Sequence, residues 1–355
     1  MLKNDRTLEK NNKQVYLEVL RIMAIFLVIY NHTRNQGFSL YADLNDYSVQ
    51  YFISLALSLI CKCAVPIFFM ISGAVLLGRE ESFKDLFIKR ILRLVIIDAI
   101  FVFIQYIRFV RIDGFNTFDI RQYFHYLYSE DIIEQYWYIK AYFAYLLMLP
   151  ILRLIVKNAR KEHYHYLIGL NIAFIIIAII YIFTGHNFNV YVQIRTNTIL
   201  YPLIGYYLGN VAAIERNKKN YGLVCASVLS LIILGCGLQL YYYGVHHEYT
   251  DYISNVTTDL FAMAFFILAK MLFVNEKIGE KTRRVLCIIG SGTFGAYLME
   301  DIVRGMIDDV CIKMNNIMPM MLSCIIFVLL SMGIAIVVTL IINAVCKFCH
   351  IPFRI

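Results

Sequence analysis

Charge is scarce in this sequence. Only 16% of its 355 residues are Asp, Glu, Lys or Arg, and 60% are hydrophobic, whereas soluble domains carry roughly 25% charged residues. One soluble core cannot absorb that much apolar surface, so a water-soluble protein is excluded. No polar stretch is long enough to form a soluble domain, and no repeat shows at the roughly 20–50-residue periods of solenoids. The nine cysteines are an odd number and mostly lie inside apolar runs, which excludes the spacing of an extracellular disulfide framework. No small-residue cleavage site follows the polar start, so the first apolar run reads as an uncleaved helix and not as a signal peptide.

What the chain does have is a series of apolar stretches, each about 20 residues long, the mark of transmembrane helices. Mean hydropathy is +0.64. Ten spans are expected, at about 16–33, 52–77, 91–110, 136–156, 166–183, 197–214, 221–243, 256–274, 285–305 and 320–345. The connections alternate in charge. One set holds Lys3/Arg6/Lys10/Lys13, Arg79/Lys84/Lys89/Arg90/Arg93, Arg153/Lys157/Arg160/Lys161, Arg216/Lys218/Lys219, Lys277/Lys281/Arg283/Arg284 and Lys347/Arg354. The other holds only Arg34, Arg108/Arg111/Arg121, Arg195 and Lys313. The positive-inside rule makes the first set cytoplasmic. The net charge of +8 is therefore a topology signal and not a nucleic-acid footprint. The expected fold class is all-α, a polytopic integral membrane protein with both termini cytoplasmic. It comprises a cytoplasmic segment 1–15, a membrane domain 16–345 and a short cytoplasmic tail 346–355. The longest connection, about 111–135, is external and carries Asp113, Asp119, Glu130, Asp131 and Glu134 among aromatics. Pro66, Pro150 and Pro202 fall within spans and are expected to kink them.

Ionisable residues inside spans mark function by default. In "RIMAIFLVIYNH", Arg21 and His32 are eleven residues apart, about three helical turns, so they share a face roughly 16 Å apart along the axis. Glu18 lies one turn before Arg21. The alternative is a snorkelling interfacial anchor at Glu18 and Arg21, with a histidine that caps the helix at the headgroups. In "CKCAVPIFFMISGAVLL", Lys62 lies at mid-depth and should face a polar interior, while Ser72-Gly73 reads as a packing face. Arg90 and Arg93 are helical neighbours beside Lys89, and their paired guanidinium forks suit a phosphate. Contact with anionic lipid is the competing role. Asp98 lies further in and could pair with an arginine. Trp137 with its tyrosines fits an aromatic belt, and Lys140 just inside is a further candidate for the polar interior. Gly290, Gly292 and Gly295 match G-x-G-x-x-G, but no βαβ unit surrounds them, so helix packing is the better account. Glu300, Asp301 and Arg304 follow, at a depth expected to match that of His32. Residues 346–350 match C-x-x-C-H, the haem-attachment pattern. At the cytoplasmic end of a chain with no domain to enclose a haem, they read as ordinary juxtamembrane cysteines. No metal is expected.

Together these pieces resemble the acyltransferase-3 family of bacterial membrane proteins. The likeness rests on Arg21 to His32, on "VPIFFMISG" at 65–73, on the R-x-x-R of Arg90 and Arg93, and on "SGTFGAYLME" near the end. The resemblance implies transfer of an acyl group, commonly acetyl, from cytoplasmic acyl-coenzyme A to a cell-envelope glycan hydroxyl or a small polar acceptor outside. It makes His32 the catalytic base. Arg90 and Arg93, with Lys89 and Arg21, become the coenzyme A site, and Glu300 or Asp301 a candidate to orient the imidazole. Lys62, Asp98, Lys140 and Trp137 become candidates for the substrate path. It places the protein in the bacterial cytoplasmic membrane, with membrane lipid as its surroundings. One departure is Glu300, which stands where the family's Y-L-x-H pattern has histidine, and this puts the usual glycan acceptor in doubt. A branch of the family forms the membrane half of serine racemases associated with vancomycin resistance, in which a soluble enzyme domain follows the last span. The end at Ile355 would suit a membrane domain cut from such a longer protein, and a natural short end would look the same. Transport of a small polar solute such as serine is the alternative function.

Overall fold

The computed structural model describes residues 2–44, 46–112, 118–185, 197–214, 217–274 and 278–349, with the side chains of 2–14 and 111–112 outside that description. The expected loop residues Asp113, Arg195, Arg216, Lys277 and Arg354, and His350 of the Cys-x-x-Cys-His pattern, lie outside the described residues. So do the side chains of Lys3, Arg6, Lys10, Lys13 and Arg111.

Among the described residues the chain is helical, without strands. The first half contains α1 (Leu2–Asn31), α2 (Leu40–Leu44), α3 (Val49–Cys61), α4 (Ala64–Leu76), α5 (Phe83–Leu86), α6 (Arg93–Ile112), α7 (Ile120–Tyr128) and α8 (Trp137–Asn158). The second contains α9 (Lys161–Thr184), α10 (Leu200–Tyr206), α11 (Lys218–His246), α12 (Asp251–Phe273), α13 (Glu280–Ser291), α14 (Thr293–Asn315) and α15 (Met320–Phe348). A π-helical turn, Phe87–Leu92, leads into α6, and a second, Tyr207–Val211, extends α10.

Six helical stretches are long and apolar enough to cross a membrane, or seven if the bent pair α13–α14 is one span. These correspond to seven of the ten expected spans. The other three, 16–33, 91–110 and 197–214, fall on α1, α6 and α10 with its π-turn. Of these, α6 carries Arg93, Asp98, Arg108 and Arg111, and α10 with its extension is short.

The core is organised around α1, which packs on α3, α4, α12, α13, α14 and α15. Tyr16, Leu20, Ala24, Ile25, Ile29 and Tyr30 are essentially inaccessible. Lipid is as apolar as leucine, so between membrane helices close van der Waals packing replaces the hydrophobic drive. The glycines serve that packing. A Cβ on Gly73 would sit 2.0 Å from the Pro202 carbonyl, and one on Gly205 would sit 2.0 Å from the Met70 carbonyl. This reciprocal pair brings α4 and α10 to backbone contact, in keeping with the packing role expected for Ser72-Gly73. Gly290 makes room for Glu18, Gly292 for Ile336 and Gly295 for Thr339, so the G-x-G-x-x-G stretch is a helix-packing surface toward α1 and α15.

Two of the three prolines expected within spans act at helix starts. Pro66 lies in the first turn of α4, and its missing N–H leaves the Lys62 carbonyl without a helical partner. The α3 helix therefore stops at Cys61 and α4 restarts at Ala64. Pro202 lies in the first turn of α10, whereas Pro150 is accommodated inside α8. A further break, at Gly292 after Ser291, bends α14 from α13 by 55°, and Gly–Ser pairs are common kink sites.

Candidate functional site: a cavity with a basic end and a histidine end

A cavity of about 1180 Å³ runs through the helices. Arg21 and His32 both line it, so α1 forms one wall for roughly 16 Å along its axis. At one end the lining includes Arg21, Lys89, Arg90 and Arg93, and at the other His32, Arg34, Lys62 and Trp137. Between them lie Ser72, Tyr138 and Tyr142. Tyr138 stacks on Tyr142 with ring centroids 6.0 Å apart and meets Tyr297 edge-on at 5.3 Å. These rings line the cavity between its two polar ends.

The basic end is held by carboxylates. Arg21 pairs with Glu18, its helical neighbour. Lys89 bonds Asp85 at 2.8 Å, which lowers the Asp85 carboxyl and raises the Lys89 ammonium relative to their ordinary ranges. Arg90 Nε donates to both oxygens of Glu81 at 3.0 and 2.9 Å, and Arg153 Nη2 donates to Glu81 at 3.0 Å. Partial burial pushes the Glu81 carboxyl up, but the hydrogen bonds from Arg90 and Arg153 outweigh it, and Glu81 ends below the usual carboxylate range. Only Nε of Arg90 is engaged by Glu81. Its terminal nitrogens stay available to an anion on the cavity side. The π-helical turn over Phe87–Leu92 presents this group, and such turns recur at functional sites.

At the other end, His32 Nδ1 lies 2.7 Å from Glu300 Oε1. Glu300 is wholly buried. A carboxylate only accepts hydrogen bonds, so a pairing with Glu300 as the carboxylate is one in which Nδ1 donates and Nε2 keeps the lone pair. Arg304 Nε lies 3.5 Å from Glu300 Oε2, and Arg304 also bonds Asp301 and the His32 carbonyl. Lys62, at the α3–α4 break, reaches Asp251 at 3.5 Å and lies 4.8 Å from the centre of the Phe38 ring.

The expected site residues therefore divide. Arg21, His32, Lys62, Lys89, Arg90, Arg93 and Trp137 share one cavity, with Glu300 directly behind His32 and Asp301 one step further back. Asp98 and Lys140 are not among the lining residues. Lys140 pairs with Asp131 at 2.8 Å, close to Asp98. The cavity also uses residues that the sequence did not single out. Asp251, Asn255 and Thr258 line it from α12 at helical spacing. Their signal was a polar stripe at i, i+4 and i+7, half-hidden because Asp251 precedes the apolar run. Glu81 and Arg153 carried no signal beyond loop charge. Among the described residues no group of three or more His, Cys, Asp or Glu is placed to hold a metal ion.

The family model for an acyltransferase domain, that of the acyltransferase-3 family, matches residues 14–342. No curated protein and no solved structure matches the chain.

Proposed function

Since the chain belongs to the acyltransferase-3 family, as the match to nearly its whole length shows, we propose that it moves an acyl group, acetyl in the simplest case, from cytoplasmic acyl-coenzyme A through the membrane to an acceptor hydroxyl on the outer side. The observation that carries this is one cavity with three arginines and a lysine at one end and a carboxylate-backed imidazole at the other. The phosphates of coenzyme A bind at Arg21, Lys89, Arg90 and Arg93, where guanidinium forks match phosphate oxygens. The extended pantetheine arm passes Ser72, Tyr138 and Tyr142 and brings the thioester to His32.

The chemistry then follows from the tautomer. Nε2 takes the proton of the acceptor hydroxyl as its oxygen attacks the thioester carbonyl. The C–O bond forms, the C–S bond breaks, and the sulfur leaves as thiolate and takes the proton back from Nε2. Glu300 stabilises the imidazolium that exists between these two transfers. The acceptor is a cell-envelope glycan or a small polar molecule, reached through the end lined by Trp137, Lys62 and Asp251. The protein resides in the bacterial cytoplasmic membrane with ten spans and both termini inside. Of the three mid-depth charges that a solute pathway would use, only Lys62 lines the cavity, which favours acyl transfer over transport of serine. The same cavity would serve as the membrane half of a longer racemase.

The test uses sealed membrane vesicles carrying the full chain, with radiolabelled acetyl-coenzyme A on the cytoplasmic face and label counted in envelope material. Purified protein is assayed for saturable acetyl-coenzyme A binding. Arg90→Ala with Arg93→Ala is expected to abolish binding. His32→Ala is expected to keep binding and abolish transfer. Binding that survives the arginine changes would overturn the donor site, and transfer that survives His32→Ala would overturn the base.

A further inference from the structure

His32 follows the last residue of α1, where backbone carbonyls run out of helical partners. Its carbonyl is not left alone, because Arg304 Nη1 from α14 donates to it at 2.9 Å. The same guanidinium reaches Asp301 Oδ1 through Nη2 at 3.1 Å, and its Nε lies 3.5 Å from Glu300 Oε2. Asp301 is itself held from the opposite side, where its Oδ2 accepts from Arg108 of α6. Arg108 also donates to Gln105 at 3.1 Å, and Gly305 leaves the space that its guanidinium fills, since a Cβ there would come within 2.8 Å of it. Two carboxylates and two guanidiniums therefore surround the back of the imidazole and balance to zero while the ring is neutral.

We infer that Arg304 is a positioning residue for His32, clamping the histidine's backbone and at the same time keeping Glu300 an anion, with Asp301 and Arg108 locking the clamp. This inference rests on the acyl-transfer function proposed above. Glu300 is wholly buried, and a buried carboxylate deprived of its cation takes up a proton instead of staying charged. A protonated Glu300 would donate to Nδ1. The ring proton would then sit on Nε2, and the ring would have no lone pair to offer the acceptor hydroxyl. The charge of Arg304 is thus needed for the correct tautomer, and its fork for the ring's height in the cavity. A merely structural arginine would need only the hydrogen bond to the His32 carbonyl.

Three substitutions separate these roles in the vesicle assay with acetyl-coenzyme A. Arg304→Met is expected to lower kcat about 100-fold, well short of the roughly 10⁴-fold lost when a triad's own carboxylate is replaced, with KM for acetyl-coenzyme A within about twofold of the parent. Arg304→Lys, which keeps the charge, should retain more activity than Arg304→Gln, which keeps a hydrogen-bond donor only. The inference is overturned if Arg304→Met stays within about threefold of the parent kcat, if KM rises while kcat holds, or if the glutamine variant equals or exceeds the lysine variant. Should the methionine variant not accumulate, the lysine and glutamine variants decide, compared at equal acetyl-coenzyme A binding. Transfer that survives His32→Ala would instead bring down the acyl-transfer function itself, an outcome the Arg304 series does not mimic.

Discussion

In the proposed transfer, His32 acts as a base through what stands behind it. Glu300 Oε1 lies 2.7 Å from Nδ1, and as a carboxylate it would hold the ring proton there and leave Nε2 for the acceptor. Glu300→Gln keeps the size of the side chain and removes the charge that stabilises the imidazolium. It is expected to lower kcat by about 10²–10⁴-fold, by analogy with the amide replacement in a serine-protease triad, while acetyl-coenzyme A binding is unchanged. A rate within tenfold of the parent would remove Glu300 from the chemistry. At this scale the sequence was informative where one helix held the whole pattern. Arg21 lies on α1 with His32 the residue after its end, and Arg90 and Arg93 are one turn apart, so helical spacing alone placed them. Glu300 was one of two candidate partners, because nothing along the chain says which carboxylate of α14 faces α1. The contact of Arg304 with the His32 carbonyl and the clamp of Arg90 and Arg153 on Glu81 join residues 272, 9 and 72 positions apart. No local pattern encodes them.

Helices meet in this molecule where side chains are missing. Gly73 and Gly205 each face a carbonyl of the other helix at a distance that no Cβ tolerates. Backbone cannot yield as a side-chain tip can, so Gly73→Ala or Gly205→Ala must push α4 and α10 apart. Overpacking of this kind costs typically about 1–3 kcal/mol. Each variant is therefore expected to lose thermal stability in detergent, and Gly73→Ala also transfer activity, because α4 carries Pro66 and Ser72 into the cavity wall. Gly237 on α11 is the control. Nothing lies within 4 Å of its position, so Gly237→Ala should leave the melting temperature unchanged or slightly raised. An unaffected Gly73→Ala would mean that the two helices do not meet this closely. The small-residue faces were legible in sequence, since Ser72-Gly73 and the glycines at 290, 292 and 295 read as packing surfaces. Their partner helices were not, because composition does not say which surface a glycine opens. The π-turn at Phe87–Leu92 was equally invisible, since its residues fit an ordinary helix and only tertiary packing widens it.

Across the whole molecule, two expected spans that are too short or too polar to qualify on their own, α6 and α10, still contribute to the site. The α6 helix brings Arg93 to the cavity's basic end and Arg108 behind its histidine end, and α10 brings Tyr201 to the cavity wall, beside Arg21 of α1 and His32 just past its end. A helix whose polar face looks into a cavity needs less apolar surface than one ringed by lipid, which is why a polar helix such as α6 falls short on hydropathy and charge alone. This has a topological consequence. If α6 crosses the membrane, a fusion at residue 80 and one at residue 120 lie on opposite faces. If only the six or seven strongly apolar spans cross, no span separates those two points and both lie on one face. Fluorescent-protein fusions report the cytoplasmic side and alkaline-phosphatase fusions the outer side. We expect fluorescence at 80 and phosphatase activity at 120, with fluorescence again at 159. Matching signals at 80 and 120 would place Arg93 and Arg108 on the same side. The cavity would then not connect the two faces of the membrane, and a coenzyme A thioester entering from inside would have no route to an acceptor outside.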